Sequence, residues 1–136
     1  MIMKKLAILL VVLFVGFSAY AQTVRSTSNH RLANVDQDGT FRDECNKFVF
    51  RICSDGSVRD NSNRMLGKVD TDGRVSDPCN NYLGKVCGDG TVRDDCNHMV
   101  GRVEDDGRVR DPQNHTLGYA KGVPKTWAAL FFFIKL

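Results

Sequence analysis

Five cysteines are the side chains best placed to do covalent chemistry in this chain: Cys45, Cys53, Cys79, Cys87 and Cys96. Cys45/Cys53 and Cys79/Cys87 share the spacing C-x7-C, and no C-x-x-C pair occurs, which argues against a zinc site. Two bridges within those pairs, with Cys96 left as a free thiol, are expected. A Cys87–Cys96 bridge is the rival, because connectivity cannot be deduced from sequence. The three histidines, His30, His98 and His115, would make a metal site only if they converged, and exposed loop histidines are the expectation. The stretches ending at Asp38-Gly39, Asp72-Gly73 and Asp106-Gly107 resemble fragments of calcium loops, but they lack the later bidentate glutamate. No serine, cysteine or carboxylate has an activating partner at a known motif spacing, so no catalytic residue, cofactor or metal is expected and the chain reads as a non-enzyme.

The ends and the charge place these residues in an exported chain. Lys4-Lys5, the apolar run Leu6 to Phe17 and the small pair Ala19 and Ala21 form the three parts of a signal peptide, residues 1–21. The run is shorter than the roughly 20 apolar residues of a membrane span, and the chain after cleavage contains none. Export places the protein in the periplasm, at the outer membrane or outside the cell, where disulfides are permitted. Lys4 and Lys5 account for two of the +3 formal charge, leaving +1 for the exported part. That balance argues against nucleic acid as a partner.

What must position the cysteines and histidines is a repeat. Residues 22–122 fall into rows of seventeen beginning at Val24, Phe41, Val58, Val75, Val92 and, as a partial row, Val109. The shared pattern is V-R-D-x-x-N-x-x-L-G-K-V-x-x-D-G-x, and a period of this kind fixes the architecture. Position six is asparagine in every row, from Asn29 to Asn114, and Asp-Gly recurs five times. Asp-Gly between short β-rich runs signals a hairpin. A two-residue loop would put Val69 and Val75 on opposite faces. A three-residue loop, Thr71-Asp72-Gly73, sets them opposite one another and Asp70 opposite Arg74, so a type I turn with a glycine bulge is favoured. A five-residue loop gives the same pairing. Asp60 and Asn63 stand for a second turn whose side chains bond their own backbone, and Gly67, Gly84, Gly101 and Gly118 mark a bulge or a close strand approach.

The signal peptide, the recurring V-R-D, N-x-x-L-G-K-V and D-G elements and the closing Lys125-Thr126-Trp127 with its aromatic tail resemble the five-fold β-flower family of small secreted bacterial proteins. The resemblance implies an all-β ring or short barrel of five tandem seventeen-residue β-hairpin repeats. The first row, with Ser26 for aspartate and Ala33-Asn34 for Gly-Lys, departs furthest from the pattern. No activity comes with the resemblance, and hence no catalytic residues.

The apolar C-terminal segment, residues 123–136, is expected to plug the ring. The competing reading makes Trp127, Leu130, Phe131, Phe132 and Phe133 an interface to another subunit or a membrane surface. Basic residues at positions two and eleven face one another but are flanked by aspartates, which suggests a solvated salt-bridged surface. Phe48 and Tyr82, both at position eight, are the candidates for stacking on a glycan. The expected function is a non-enzymatic secreted binding or envelope-associated module that presents its loops to a protein or glycan. The alternative is a self-assembling homo-oligomer using the aromatic tail or a free cysteine.

Overall fold

Each row alternates short apolar strands with two polar turns, so the chain can only fold by pairing each strand with the next. The computed structural model describes residues 22–136; the expected signal peptide, 1–21, lies outside the described residues. The first three rows form β1 (Gln22–Ser26), β2 (Arg31–Val35), β3 (Thr40–Asp43), β4 (Phe48–Ile52), β5 (Ser57–Arg59) and β6 (Met65–Val69). The rest form β7 (Arg74–Ser76), β8 (Tyr82–Val86), β9 (Thr91–Asp94), β10 (Met99–Val103), β11 (Arg108–Arg110) and β12 (Thr116–Tyr119), before α1 (Lys125–Phe132), the one helix among the described residues. All twelve strands are antiparallel to their chain neighbours, and β1 pairs with β12 through Arg25↔Tyr119 and Ser26↔Gly118 to close a barrel. The all-β closed ring expected from the repeat is therefore present, and its partial sixth row supplies a full strand pair. Among the described residues no helix is long and apolar enough to cross a membrane.

Both turns use one design. Val69 lies opposite Val75, Ile52 opposite Val58 and Val103 opposite Val109, the register of the three-residue Asp-Gly loop. The Gly73 N–H donates to the Asp70 carbonyl at 3.0 Å and Gly73 has φ +91°, the type I turn with a left-handed glycine. The second turn repeats this with asparagine: the Asn63 N–H donates to the Asp60 carbonyl at 3.0 Å, and all six position-six asparagines have φ between 64° and 71°. Asparagine tolerates this region better than other side chains with a Cβ, which explains why no row departs from it.

The core is the inside of the barrel. Position one (Val24, Phe41, Val58, Val75, Val92, Val109) is fully buried in every row. Position ten faces the same interior, and in rows three to six crowding requires glycine there. A Cβ on Gly84 would stand 2.5 Å from the Arg93 carbonyl oxygen, and one on Gly118 would stand 2.5 Å from that of Arg25. Gly118 of row six thus approaches row one as Gly84 of row four approaches row five, and the register shifts within the rows, where the second strand pairs back on the first.

The C-terminal segment fills this interior. Ala128, Ala129 and Leu130 are buried, and Phe131 stacks on Phe41 with ring centroids 5.7 Å apart. Row two carries the ring partners, Phe41 where other rows have valine and Phe50 where rows three to six have glycine, with their centroids 4.6 Å apart. Across the lumen the absent side chains of Gly101 and Gly118 leave the space taken by the rings of Phe133 and Phe132.

Candidate functional site: turn rims and outer wall

The asparagine turns form one rim of the barrel and the Asp-Gly turns the other. On the asparagine rim the position-three carboxylate organises each loop. Asp60 Oδ1 accepts the N–H groups of Ser62 and Arg64, both at 2.9 Å, and Asp94 Oδ1 accepts those of Cys96 at 2.9 Å and His98 at 2.8 Å. Ser26, which replaces aspartate in row one, accepts the equivalent pair through its hydroxyl at 3.2 Å. The position-two arginine closes the loop: Arg25, Arg59, Arg93 and Arg110 each donate to the carbonyl of their row's left-handed asparagine, at 2.9–3.1 Å.

These bonds hold the carboxylates ionised. The Arg64 N–H holds Asp60 below its ordinary value of 3.8, the His98 N–H does the same for Asp94, and the Asn81 amide followed by its N–H does so for Asp77. A carboxyl with a depressed folded pKa stabilises the fold above its unfolded pKa and loses that contribution as pH falls through the folded one. The urea midpoint should therefore be flat from pH 7 to about pH 5 and fall below about pH 4, where free aspartate titrates. A midpoint that falls between pH 7 and 5 instead would contradict this origin.

The expected disulfides do not form: all five cysteines are free. Cys45 lies in an asparagine turn and Cys53 in an Asp-Gly turn, with β4 extended between them, and β8 separates Cys79 from Cys87 in the same way. Cys87 and Cys96, the rival pair, also sit on opposite rims, with β9 between their turns. A bridge needs Cα atoms within about 7 Å, and members of opposite rims cannot meet that. Cys96 instead clusters with Asp94 and Asp95, donor atoms within 4.8 Å of one another. The charges of Asp95 and then Asp94 raise its thiol above the ordinary 9.0. Because the thiolate is the nucleophile, Cys96 should alkylate with iodoacetamide at pH 8 several-fold more slowly than free glutathione. Parity would contradict the carboxylate effect. The three histidines are exposed on the asparagine rim and do not converge. The rings of His98 and His115 face their own turn aspartates, at 3.6 and 3.1 Å, while the backbone N–H of His30 donates to Ser26 Oγ at 3.2 Å.

On the outer wall, positions two and eleven oppose one another as expected, with Arg51↔Arg59, Lys85↔Arg93 and Arg102↔Arg110 as direct partners. The flanking position-three aspartates do not neutralise them, because their oxygens face the turn N–H groups. The acids that do pair with the wall come from position thirteen: Asp36 with Arg42 at 3.5 Å, Asp70 with Lys68 at 3.9 Å, and Glu104 with Arg110 at 2.8 Å. Of the glycan candidates, Tyr82 is half-buried beneath the Arg74 guanidinium, 4.5 Å from its ring centroid, and Phe48 is half-buried.

A closed ring of repeated hairpins with the tail inside accords with a comparison against protein families, where residues 21–135 match the model described as 5-fold beta-flower protein. The chain belongs to that family. No curated protein and no solved structure matches it. The five Asp-Gly turns of this β-flower lie at five of the six junctions between strand pairs. At the sixth, β12 meets β1 with no Asp-Gly turn across the gap: Gln22 is the first described residue, and the chain leaves through a turn in which the Val123 N–H donates to the Ala120 carbonyl at 3.1 Å. The gap is a notch of about 590 Å³ lined by Gln22, Thr23, Arg25, Asp106, Tyr119 and Lys121. The Gln22 side chain donates to the Gly122 carbonyl across it. Repeat arithmetic alone did not reveal this notch, although Tyr119 in a position that is Arg or Lys in rows two to five was a signal for it.

Of the tail residues, Leu130 is buried in the β-flower core, while Trp127, Phe131, Phe132 and Phe133 are half-buried and packed against it. Trp127 also lines a surface hollow beside Cys53 and Arg51.

Proposed function

We propose that this β-flower is an exported, non-enzymatic binding module that meets its partner through the loops of the asparagine rim, in the periplasm, at the outer membrane or outside the cell. One observation carries the reading: a constant frame displays variable side chains. The aspartate or serine at position three and the asparagine at position six fix each turn, while positions four, five and seven between and beside them vary among the rows: Glu44, Cys45 and Lys47 against Asn61, Ser62 and Arg64. Recognition residues held on loops over a rigid scaffold are a common binding design. Export is supported by Lys4-Lys5, the apolar run after them and Ala19/Ala21.

The test replaces the displayed residues of two adjacent rows with serine (Asp95, His98, Gln113 and His115) and leaves Asp94, Asn97, Asp111 and Asn114 in place. Sedimentation with purified bacterial envelope fragments should be lost in this variant while its thermal midpoint is unchanged. Undiminished sedimentation would refute the rim reading. A second reading, self-assembly, is favoured by the exposed thiols of Cys45, Cys79 and Cys96 on the same rim. It requires a solution mass above one chain that falls to one chain in reductant.

A further inference from the structure

Strand register gives the outer wall a composition that the linear sequence conceals. Position eleven pairs with position seventeen on one side and position two on the other, as Lys85 does with Arg74 and Arg93. Direct cross-strand partners share a face, so these three positions together form the outside of the barrel. Of the seventeen residues that occupy them, eleven are Arg or Lys and none is acidic. All sixteen Asp and Glu residues fall in the turns or, as Asp43 and Asp94 do, at the strand ends that enter them. The exported chain is nearly neutral overall, but charges more than about 10 Å apart are screened at 0.1 M salt, so the local sign decides what the wall attracts.

Part of the wall has no ion-pair partner among the described residues. Where position thirteen is acidic it pairs with the wall cations, as Asp36, Asp70 and Glu104 do. In rows two and four that position is Cys53 and Cys87, leaving Arg51 opposed to Arg59 and Lys85 opposed to Arg93 with no carboxylate at an ion-pair distance among the described residues; Asp38, Asp55 and Asp89 act on Arg51, Arg59 and Arg93 only from further off. Like charges directly opposed on a sheet are destabilising, and an anion laid between them relieves that cost.

The notch adds a second kind of contact. Tyr119 is the one aromatic residue at these wall positions; it is 38% exposed and paired in register with Arg25 on one side and Arg108 on the other. Around it Gln22, Thr23 and Asp106 offer donors and acceptors, and Lys121 a cation with no ion pair among the described residues. An aromatic face ringed by hydrogen-bonding groups suits a sugar ring. A single aromatic is too few for the successive base stacking that single-stranded nucleic acid binding uses. A convex wall with cations distributed around its circumference suits a flexible anionic chain and touches a flat bilayer along one line only.

We infer that the outer wall of this β-flower binds an acidic polysaccharide, with one sugar residue seated on Tyr119 in the notch between β1 and β12. The wall shares its position-two arginines with the asparagine turns but uses none of the displayed residues at positions four, five and seven, so the serine-rim variant tells the two readings apart.

The test is titration of the folded exported chain with polygalacturonate, with neutral dextran and with oligothymidylate as comparisons, over a range of salt. Polygalacturonate should bind with an affinity that falls steeply as salt rises. R51Q/K85Q should weaken it about tenfold at low salt and flatten the salt dependence. Y119A should weaken it several-fold and leave the salt dependence unchanged, and the serine-rim variant should bind as the wild type does. Lys85→Gln alone, which removes no hydrogen bond, keeps the test open if the double variant is unstable. Absence of polygalacturonate binding at low salt, equal binding of dextran, tighter binding of oligothymidylate, or indifference to both wall and notch variants would each overturn the inference.

Discussion

A chain of residues 22–126 should lose its cooperative unfolding transition. The repeats bury mainly one valine at position one and one aliphatic at position twelve per row, and they leave the middle of a twelve-stranded ring to be filled by something else. Residues 127–136 fill it: Ala128, Ala129 and Leu130 are buried, and Phe131, Phe132 and Phe133 form a chain of ring contacts 5.3–6.3 Å apart that begins on Phe41. Each large side chain removed from such a site costs about 1.5–3 kcal/mol in burial alone, and a domain of this size has only about 5–15 kcal/mol to lose. Near-UV circular dichroism and a urea titration read the outcome, with solution mass measured alongside. Leu130→Ala gives a graded version, with an expected loss of about 2–5 kcal/mol. A truncated chain that remains a folded monomer would remove the tail from the core and restore it as a docking segment.

The parts of this fold that were legible in the sequence are those that repeat. Seventeen-residue spacing placed every turn, and the need to keep Val69 and Val75 on one face selected the observed loop. The asparagine at position six was visible as an unbroken column, but its left-handed backbone was not inferred. A side chain that never varies where neighbours do, and that tolerates φ near +65°, was the available signal. The cysteine pairing failed for a geometric reason. Separation along the chain between Cys45 and Cys53 does not say which rim each turn occupies, and an intervening strand puts them at opposite ends. The wall failed for a related one. Asp60 is adjacent to Arg59 in sequence, which reads as charge interleaving, yet its carboxylate is turned to the N–H groups of Ser62 and Arg64. The notch lies where the repeat stops, and only the departure of Tyr119 from the basic column at position eleven hinted at it.

Gly73→Val should cost at least about 3 kcal/mol, more than an ordinary surface turn substitution, which stays within about 0.5 kcal/mol. Two effects combine. Gly73 has φ +91°, where a β-branched residue is strained by about 1–3 kcal/mol. A Cβ there would also stand 1.9 Å from the Val86 carbonyl oxygen, a backbone atom that cannot rotate away. The turn is tied to the same residue from the other direction, since the Val86 N–H donates to the Gly73 carbonyl at 2.9 Å. Relieving the clash therefore moves β8, and with it the pairing of Val86 to Val92 in the next junction. The damage should spread beyond one hairpin, so hydrogen exchange should accelerate at Val86 as well as at Arg74. Gly88→Ala is the matched control: it lies in the following Asp-Gly turn, has no positive φ, and its Cβ would meet nothing within 4 Å. It should be neutral or slightly stabilising, because replacing glycine removes unfolded-state entropy where the backbone permits it. If Gly73→Val and Gly88→Ala were equally tolerated, the left-handed glycine would not be what sets the register. The alternative loop of five residues, which pairs the same valines, would then be the one the chain uses.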